Sequence, residues 1–275
     1  MGLAEVVPGV SGGTIALLTG IYRQLVDALA SFGPKSLTLL SSPKAFSEHH
    51  RLPFLFSLGC GMVAGVIIFA RLMGFLLSHY PPPVWSFFLG VILTSALMLG
   101  AKRAVRDLIP WGTLGLLFGL AMLLAPSLGR TESLLAVFLG GAIAVCAWIL
   151  PAVSGSYVLL LLGMYEKVLT AVSDFDLPLL AALGAGCVVG LMSFVRVLRF
   201  VLERFYQQTM SLLCGFMLGS TLNLWPWRVQ RGVTSEWVLP GAYAEAGEPA
   251  FVIASLCACL VGGTGLWLLA RHSDF

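Results

Sequence analysis

Long apolar stretches alternate with short polar connections along most of the chain. Six of these stretches are continuous, and polar or helix-breaking residues bound each of them. A helix that crosses a bilayer needs about 20 predominantly apolar residues, whereas the strands of a membrane barrel alternate apolar and polar positions. The pattern therefore predicts six membrane-spanning helices, at 53–78, 84–101, 111–126, 177–203, 209–225 and 250–271.

Two further apolar segments, 1–32 and 133–172, are interrupted by proline, serine and glycine. The interruptions read Pro-Gly-Val-Ser-Gly-Gly at 8–13 and Pro-Ala-Val-Ser-Gly-Ser at 151–156. Inside hydrocarbon, irregular backbone is tolerated only where it is buried in protein or faces a wet cavity. We therefore expect each segment to be a re-entrant hairpin, which enters and leaves the membrane by the same face.

The two halves of the chain resemble each other in sequence. Residues 8–29 match residues 151–172 at nine of 22 positions, and residues 59–97 match residues 184–222 at 13 of 39. The matches include glycine, proline, serine and arginine in register. A chance likeness between apolar sequences does not explain those residue types, so the sequence predicts a duplication.

The predicted repeats are residues 1–126 and 133–271, each a re-entrant hairpin followed by three spans. Three crossings are an odd number, so the second repeat begins on the opposite side of the membrane and the repeats are inverted. Inverted repeats are common in transporters, which bind their substrates near the midplane at broken helices. The predicted fold class is an all-α integral membrane protein with inverted-topology repeats.

The basic residues of the connections assign the two sides of the membrane. One side of this arrangement carries eight basic residues and the other carries three, and connections rich in lysine and arginine face the cytoplasm. Both termini are therefore predicted to be cytoplasmic. The eight are Lys35, Lys44, Arg51, Lys102, Arg103, Arg106, Arg204 and Arg271, and the three are Arg130, Arg228 and Arg231.

The composition is that of a membrane protein. Of the 275 residues, 58% are hydrophobic and 11% are charged, against about 25% charged residues in soluble domains. The net charge of +3 is small and scattered, which does not favour a nucleic-acid partner. The six cysteines lie in apolar stretches and lack the spacing of metal ligands. Neither a metal nor a cofactor is expected.

The two interruptions are candidates for binding an anion. Ser11 and Ser154 are suited to cap the half-helices that follow the breaks. A helix N-terminus carries roughly half a positive charge and favours anions, so two such ends arriving from opposite faces predict one anion site. A tightly packed contact between small residues is the alternative. The expected phosphate-binding residues are Ser11, Gly12, Gly13, Thr14, Ser154, Gly155 and Ser156.

Three charged residues extend this candidate site. Arg71 and Arg196 occupy equivalent positions in the two repeats, and the forked donors of arginine suit phosphate. Snorkelling of these side chains to the headgroups is the alternative. Glu5 corresponds to Trp148 of the second half and breaks the symmetry. It is a candidate proton carrier or counter-charge, and a solvated position is equally open.

The sequences GLAEVVPGVSGGTIALLTGIY and LPAVSGSYVLLLLGMYEKVL resemble the bacterial polyprenyl-phosphate transporter family, formerly domain-of-unknown-function family 368. The resemblance implies a carrier in the bacterial inner membrane that flips undecaprenyl phosphate from the outer to the cytoplasmic leaflet, which recycles this lipid for cell-wall synthesis. Ala152 stands where the family usually has glycine. The implied motif residues are Glu5, Pro8, Gly9, Ser11, Gly12, Gly13, Thr14, Pro151, Ser154, Gly155 and Ser156.

Other functional classes are less well supported. The Gly-Val-Ser-Gly-Gly at 9–13 matches a serine-hydrolase motif, but a strand before it and a histidine within a span are both missing. A membrane phosphatase acting on polyprenyl pyrophosphate would need clustered acidic residues, and no predicted span contains such a cluster. A small-anion transporter or channel could use the same helix ends, so it stays as an alternative. We expect a transporter rather than an enzyme. The glycines at 59, 61 and 65 would suit either a homodimer contact or packing between the repeats.

Overall fold

The computed structural model describes most of the chain as helix, with one two-stranded hairpin. Pro8 and Gly9 of the first interruption and Ala152 of the second lie outside the described residues. The described residues are 1–5, 11–33, 35–39, 41–124, 133–151, 154–231 and 234–272.

The helices and strands follow one another with short connections. In chain order the helices are α1 (Gly2–Glu5), α2 (Gly12–Leu18), α3 (Tyr22–Ala30), α4 (Lys35–Leu39), α5 (Pro43–His49), α6 (Leu52–His79), α7 (Pro81–Ala101), α8 (Val105–Leu124), α9 (Leu134–Ile149), α10 (Gly155–Leu161), α11 (Tyr165–Ser173), α12 (Leu177–Arg204), α13 (Tyr206–Ser220), α14 (Pro240–Glu245) and α15 (Val252–His272). A 3-10 turn at Thr221–Leu224 follows α13, and the antiparallel strands β1 (Arg228–Arg231) and β2 (Thr234–Trp237) precede α14.

These elements form two compact units, and each unit combines residues from both halves of the sequence. The first contains both interrupted segments together with all of α12. The second contains α7, α15, the strand hairpin, nearly all of α8 and most of α13. The first unit is Met1–Ile67 with Leu124–Thr209, and the second is Ile68–Leu123 with Met210–Phe275.

The two interrupted segments have the same local structure. α2 and α10 are each seven residues long, and α3 and α11 are each nine. A glycine with positive φ follows each short helix, Gly20 at 72° and Gly163 at 67°. Glycine adopts this left-handed conformation without steric cost and therefore ends a helix. α6 and α12 are also equal in length, at 28 residues each.

Among the described residues, four helices are long and apolar enough to cross a membrane. They are Leu52–His79, Pro81–Ala101, Val105–Met122 and Leu177–Arg204. The shorter helices at Leu134–Ile149 and Val252–Leu268 are also apolar. The stretch predicted as a span at 209–225 forms α13 and the 3-10 turn after it. The chain is thus a predominantly helical, multi-pass membrane protein.

The outward faces of the long helices are apolar. α6 contains no buried residue, and Phe56 and Ile67 on it are 74% and 69% exposed. In water such a surface would be costly, because each exposed apolar side chain forgoes about 1.5–3 kcal/mol of burial energy. Lipid tails remove that cost, so these faces suit contact with the bilayer.

Close helix pairs within each unit are built on glycine. In the first unit, α12 packs on α9 through Gly186 and Gly190, where an added Cβ would overlap the main chain of Phe138 and Ala142. In the second unit, Gly90 of α7 lies against the main chain of α15 in the same way. Small residues let helix backbones approach closely, which is typical of packing within membranes.

Candidate functional site

Ser11 caps α2 and joins the two interrupted segments. Its backbone is extended, and its Oγ accepts a hydrogen bond from the Gly13 amide at 3.1 Å. The same hydroxyl has one hydrogen to donate, and the carbonyl oxygens of Trp148 and Leu150 both lie 3.2 Å from it. The side chain is 1% exposed. The serine of the first interruption therefore anchors α2 to the C-terminal end of α9, in the second interrupted segment.

Gly13 permits this close contact between α2 and α9. A Cβ added at Gly13 would lie 2.5 Å from the carbonyl oxygen of Ile149, which is nearer than side-chain carbons approach real neighbours. Thr14, the next residue of α2, is fully buried. The first turn of α2 is thus enclosed by protein.

Glu5 closes the N-terminus of α2. Its Oε1 accepts a hydrogen bond from the Gly12 amide at 2.8 Å, and the side chain of Trp148 also hydrogen-bonds to Glu5. A carboxylate is stabilised at this position by the helix dipole and by charge-assisted hydrogen bonds. The Thr14 amide donates to the Ser11 carbonyl at 3.0 Å.

In this conformation the first-turn amides of α2 already have acceptors within the protein, so anion binding at this end stays a prediction. Each of the three amides, at Gly12, Gly13 and Thr14, has an internal acceptor. The physical reason is that Glu5 lies within reach of the helix end and supplies the negative charge itself. An incoming anion would have to displace that carboxylate.

Trp148 is a residue of this site that the sequence pattern did not single out. It stands opposite Glu5 when the two halves are aligned, and the structure brings the two side chains into contact. The indole N–H is a donor without acceptor capacity, so it complements a carboxylate. The sequence signal that could have identified Trp148 is that a hydrogen-bond donor occupies the repeat position equivalent to the acid Glu5.

The second serine end, at α10, is more open than the first. Ser154 occupies the N-cap position in extended conformation but makes no side-chain cap hydrogen bond. Its Oγ lies 2.7 Å from the Oγ of Ser156, so the two hydroxyls bond to each other. Ser156 is exposed, and Ser154 and Gly155 are half-buried.

α9 holds both serine ends. Gly155 packs on α9, where an added Cβ would lie 2.8 Å from the carbonyl oxygen of Ala144. The corresponding contact of Gly13 is with Ile149. These two positions are five residues apart, or roughly 7.5 Å along a helix axis. The starts of α2 and α10 therefore lie along the same stretch of one helix.

The two arginines are in other surroundings. Arg196 Nη2 donates to the carbonyl oxygen of Phe32 at 2.7 Å, which links α12 to the chain that follows α3. Arg199, one turn later, lies 2.8 Å from Glu203 and 3.6 Å from Asp27. None of the described contacts of Arg196 involves a residue of either serine end. Arg71 belongs to the second unit and lies exposed on α6.

Comparison with known proteins gives a family. Residues 1–237 match the profile of a family described as undecaprenyl phosphate translocase-like. A polyprenyl-phosphate transporter of Vibrio cholerae is 38% identical over 232 residues, which cover 83% of this chain and 75% of that protein. A polyprenyl-phosphate transporter of Staphylococcus aureus is 29% identical over 248 residues, covering 82% and 83%.

No solved structure matches the chain significantly. The profile match extends over both serine ends and over Arg71 and Arg196. The chain belongs to the undecaprenyl phosphate translocase-like family.

Proposed function

We propose that this protein transports a polyprenyl phosphate, and that it flips undecaprenyl phosphate from the outer to the cytoplasmic leaflet of the bacterial inner membrane. Family membership carries the proposal, since two relatives bear the name polyprenyl-phosphate transporter. The apolar outer faces of the long helices fit a substrate whose tail stays in the bilayer. The physiological consequence would be recycling of the lipid carrier for cell-wall synthesis.

The phosphate headgroup is proposed to bind at the two serine ends on α9. The hydroxyls of Ser154 and Ser156 are accessible and need only separate from each other to donate to phosphate oxygens. Arg71 and Arg196 would supply positive charge along the path, because guanidinium groups bind phosphate through paired donors. The full proposed set is Ser11, Gly12, Gly13, Thr14, Ser154, Gly155, Ser156, Arg71 and Arg196.

Glu5 is proposed to act as an internal counter-anion. Its carboxylate holds the Gly12 amide at 2.8 Å, which is the contact that a phosphate oxygen would otherwise make. A headgroup arriving at α2 would exchange with the carboxylate, and on release the carboxylate would return. The helix end is then never left without a negative partner. Protonation of Glu5 would favour the exchange, which is one route to coupling with a proton gradient.

The inverted arrangement of two repeats, each a re-entrant hairpin with three spans, belongs to the same proposal. It is supported by the equal lengths of α2 and α10, of α3 and α11, and of α6 and α12. Both termini would be cytoplasmic. A homodimer stays a prediction: added Cβ atoms at Gly59 and Gly61 of α6 would meet no atom of the described chain within 4 Å.

The proposal requires no chemical step. The Ser11 hydroxyl is hydrogen-bonded to main-chain atoms, as a cap and as a donor to carbonyl oxygens, rather than to a catalytic base. The buried histidine, His50, bonds to Ser31 through Nδ1 at 2.7 Å. The named relatives are transporters rather than enzymes.

The test is flipping of undecaprenyl phosphate in proteoliposomes, followed with a phosphatase that cannot cross the membrane. We expect the wild type to accelerate flipping, and Ser154→Ala and Arg196→Ala to reduce the rate by about tenfold, since a hydrogen bond to a charged group is lost. Arg204→Ala is the matched control, because Arg204 is an exposed arginine at the end of the same helix as Arg196.

Thermal unfolding in detergent checks that each variant is folded. Absence of flipping by the folded wild type would contradict the proposed function. Equal transport of inorganic phosphate would instead support the small-anion transporter.

A further inference from the structure

A groove in the second unit is open to the surroundings and lies outside the serine ends. It encloses about 630 Å³ between α7, α8 and α13, within the range of roughly 300–1,000 Å³ that small-molecule sites occupy. Its rim carries apolar side chains that are largely exposed, with Leu97 at 66%, Val105 at 67% and Ile109 at 63%. In a bilayer this opening faces lipid.

The floor of the groove is made of small residues and is rigidly held. Gly112 of α8 and Gly215 of α13 are in direct contact, since a Cβ added at Gly215 would overlap the carbonyl oxygen of Gly112. The Sγ of Cys214 donates to the carbonyl oxygen of Ala96 at 3.0 Å, which fixes α13 to α7. The groove is therefore a depression between packed helices.

One end of the groove is positively charged. Arg103 lines the groove from the short turn between α7 and α8, and its Nε is shielded from solvent. The turn also carries Lys102. From Arg103 the apolar lining continues along α8 to Leu116, roughly 15–20 Å at the rise of a helix. The basic end of the groove therefore matches a polar headgroup, and the apolar lining along α8 matches a long hydrocarbon tail.

We propose that this groove binds the phosphate of a single-chain prenyl phosphate at Arg103 and the start of its chain along α8. The occupant is a phosphate monoester, whose charge of about −1.5 to −2 at neutral pH complements the basic turn. A single apolar channel beside Arg103 matches a lipid that has one hydrocarbon chain. This inference rests on the proposed function, because it makes the groove a second site for the same lipid.

The position of the groove gives it a role in the transport sequence. The charge count predicts that the connection between α7 and α8 faces the cytoplasm, so a headgroup at Arg103 would lie at the cytoplasmic interface with its chain directed toward the membrane centre. That is the orientation of a lipid resident in the cytoplasmic leaflet. The groove is thus the release site, where flipped prenyl phosphate rests before it diffuses away.

The test is photo-crosslinking of the full-length protein in detergent with farnesyl phosphate that carries a diazirine on its chain. Digestion and mass spectrometry then locate the label. We expect labelling within 105–116, and Arg103→Gln to reduce it by about tenfold, since a hydrogen bond to a charged group is lost. Arg106→Gln is the matched control, because the Arg106 side chain is 89% exposed and does not line the groove.

A second pair of variants tests the apolar part and does not depend on the arginine. Ile109→Trp fills the groove and should abolish labelling, whereas Leu117→Trp, a similarly exposed position of α8 outside the lining, should leave it unchanged. Excess undecaprenyl phosphate should compete with the probe, and the same excess of phosphatidylglycerol should not. Labelling elsewhere, labelling indifferent to Arg103→Gln and Ile109→Trp, or equal competition by phosphatidylglycerol would overturn the proposal.

Flipping measured on the same preparations separates the two proposals. Flipping without labelling of 105–116 contradicts only the groove. Labelling that follows the expected variants, in a protein that does not flip the lipid, supports the groove and contradicts transport.

Discussion

The N-termini of α2 and α10 arise from matching sequence but are in different states. At α2 the capping serine is buried and the first amide is bound by Glu5. At α10 the serine makes no cap hydrogen bond, and its hydroxyl is paired with that of the exposed Ser156. One end is closed by an internal anion, and the other offers two hydroxyls to an incoming group.

Two pairs of equivalent positions account for this difference. Glu5 corresponds to Trp148, so only the first end has its own carboxylate. Gly13 corresponds to Ser156, so at this position the first end presents a glycine to the Ile149 carbonyl oxygen of α9, whereas the second end carries an exposed hydroxyl. The backbone of the motif is duplicated, whereas the side chains that determine access are not. On the proposed function, this asymmetry would give the two ends different affinities for one headgroup.

The largest effect is expected from exchanging the residue types at Gly13 and Ser156. Gly13→Ser would place a side chain against the Ile149 carbonyl and force α2 away from α9. We expect a loss of roughly 1–3 kcal/mol in stability, as for overpacked sites, together with loss of flipping. Ser156→Gly removes an exposed side chain and should leave unfolding nearly unchanged. Thermal unfolding in detergent measures both, and equal melting temperatures would refute the packing difference.

A smaller effect is expected from neutralising the internal anion. Glu5→Gln keeps an oxygen that accepts from Gly12 but removes the negative charge that opposes phosphate. We expect KM for undecaprenyl phosphate in the flipping assay to fall by about tenfold, equivalent to about 1.4 kcal/mol of binding. Glu245→Gln, an exposed acid in α14, is the control. An unchanged or higher KM would mean that Glu5 does not compete with the headgroup.

The smallest effect separates capping from binding. Ser11→Ala removes the cap of α2 and should cost about 1 kcal/mol of stability. Ser154→Ala removes a hydroxyl that caps nothing, so its melting temperature should match that of the wild type while flipping slows. Chemical denaturation and flipping are measured on the same preparations. If Ser154→Ala were the less stable variant, the two ends would not differ as described.

Much of the local fold could be predicted from the sequence, for identifiable reasons. Long apolar runs and the punctuation by proline and glycine locate the helices, because a bilayer demands length and continuity. The serines at both breaks predict helix starts at 12 and 155, where α2 and α10 begin. The resemblance to polyprenyl-phosphate transporters is confirmed by the family match.

The partners of the helix ends could not be predicted. Nothing local indicates that Ser11 reaches the carbonyl oxygens of Trp148 and Leu150, more than 130 residues away, because such contacts depend on tertiary packing. The same holds for Arg196, whose spacing suggested phosphate and whose observed partner is the Phe32 carbonyl oxygen. Periodicity identifies the face on which a side chain lies, but not the neighbour that it meets.

The glycine contacts between α9 and α12 have a mechanical consequence. Gly186 and Gly190 touch the main chain of α9 directly, and Cys187 Sγ donates to the Gly141 carbonyl oxygen of α9 at 3.4 Å, so sliding one helix past the other would break close contacts. We therefore expect α9 and α12 to move together. α9 holds both serine ends, and α12 holds the end of the α3 segment through Arg196. A movement of α9 and α12 would therefore shift the starts of α2 and α10 and the end of the α3 segment together.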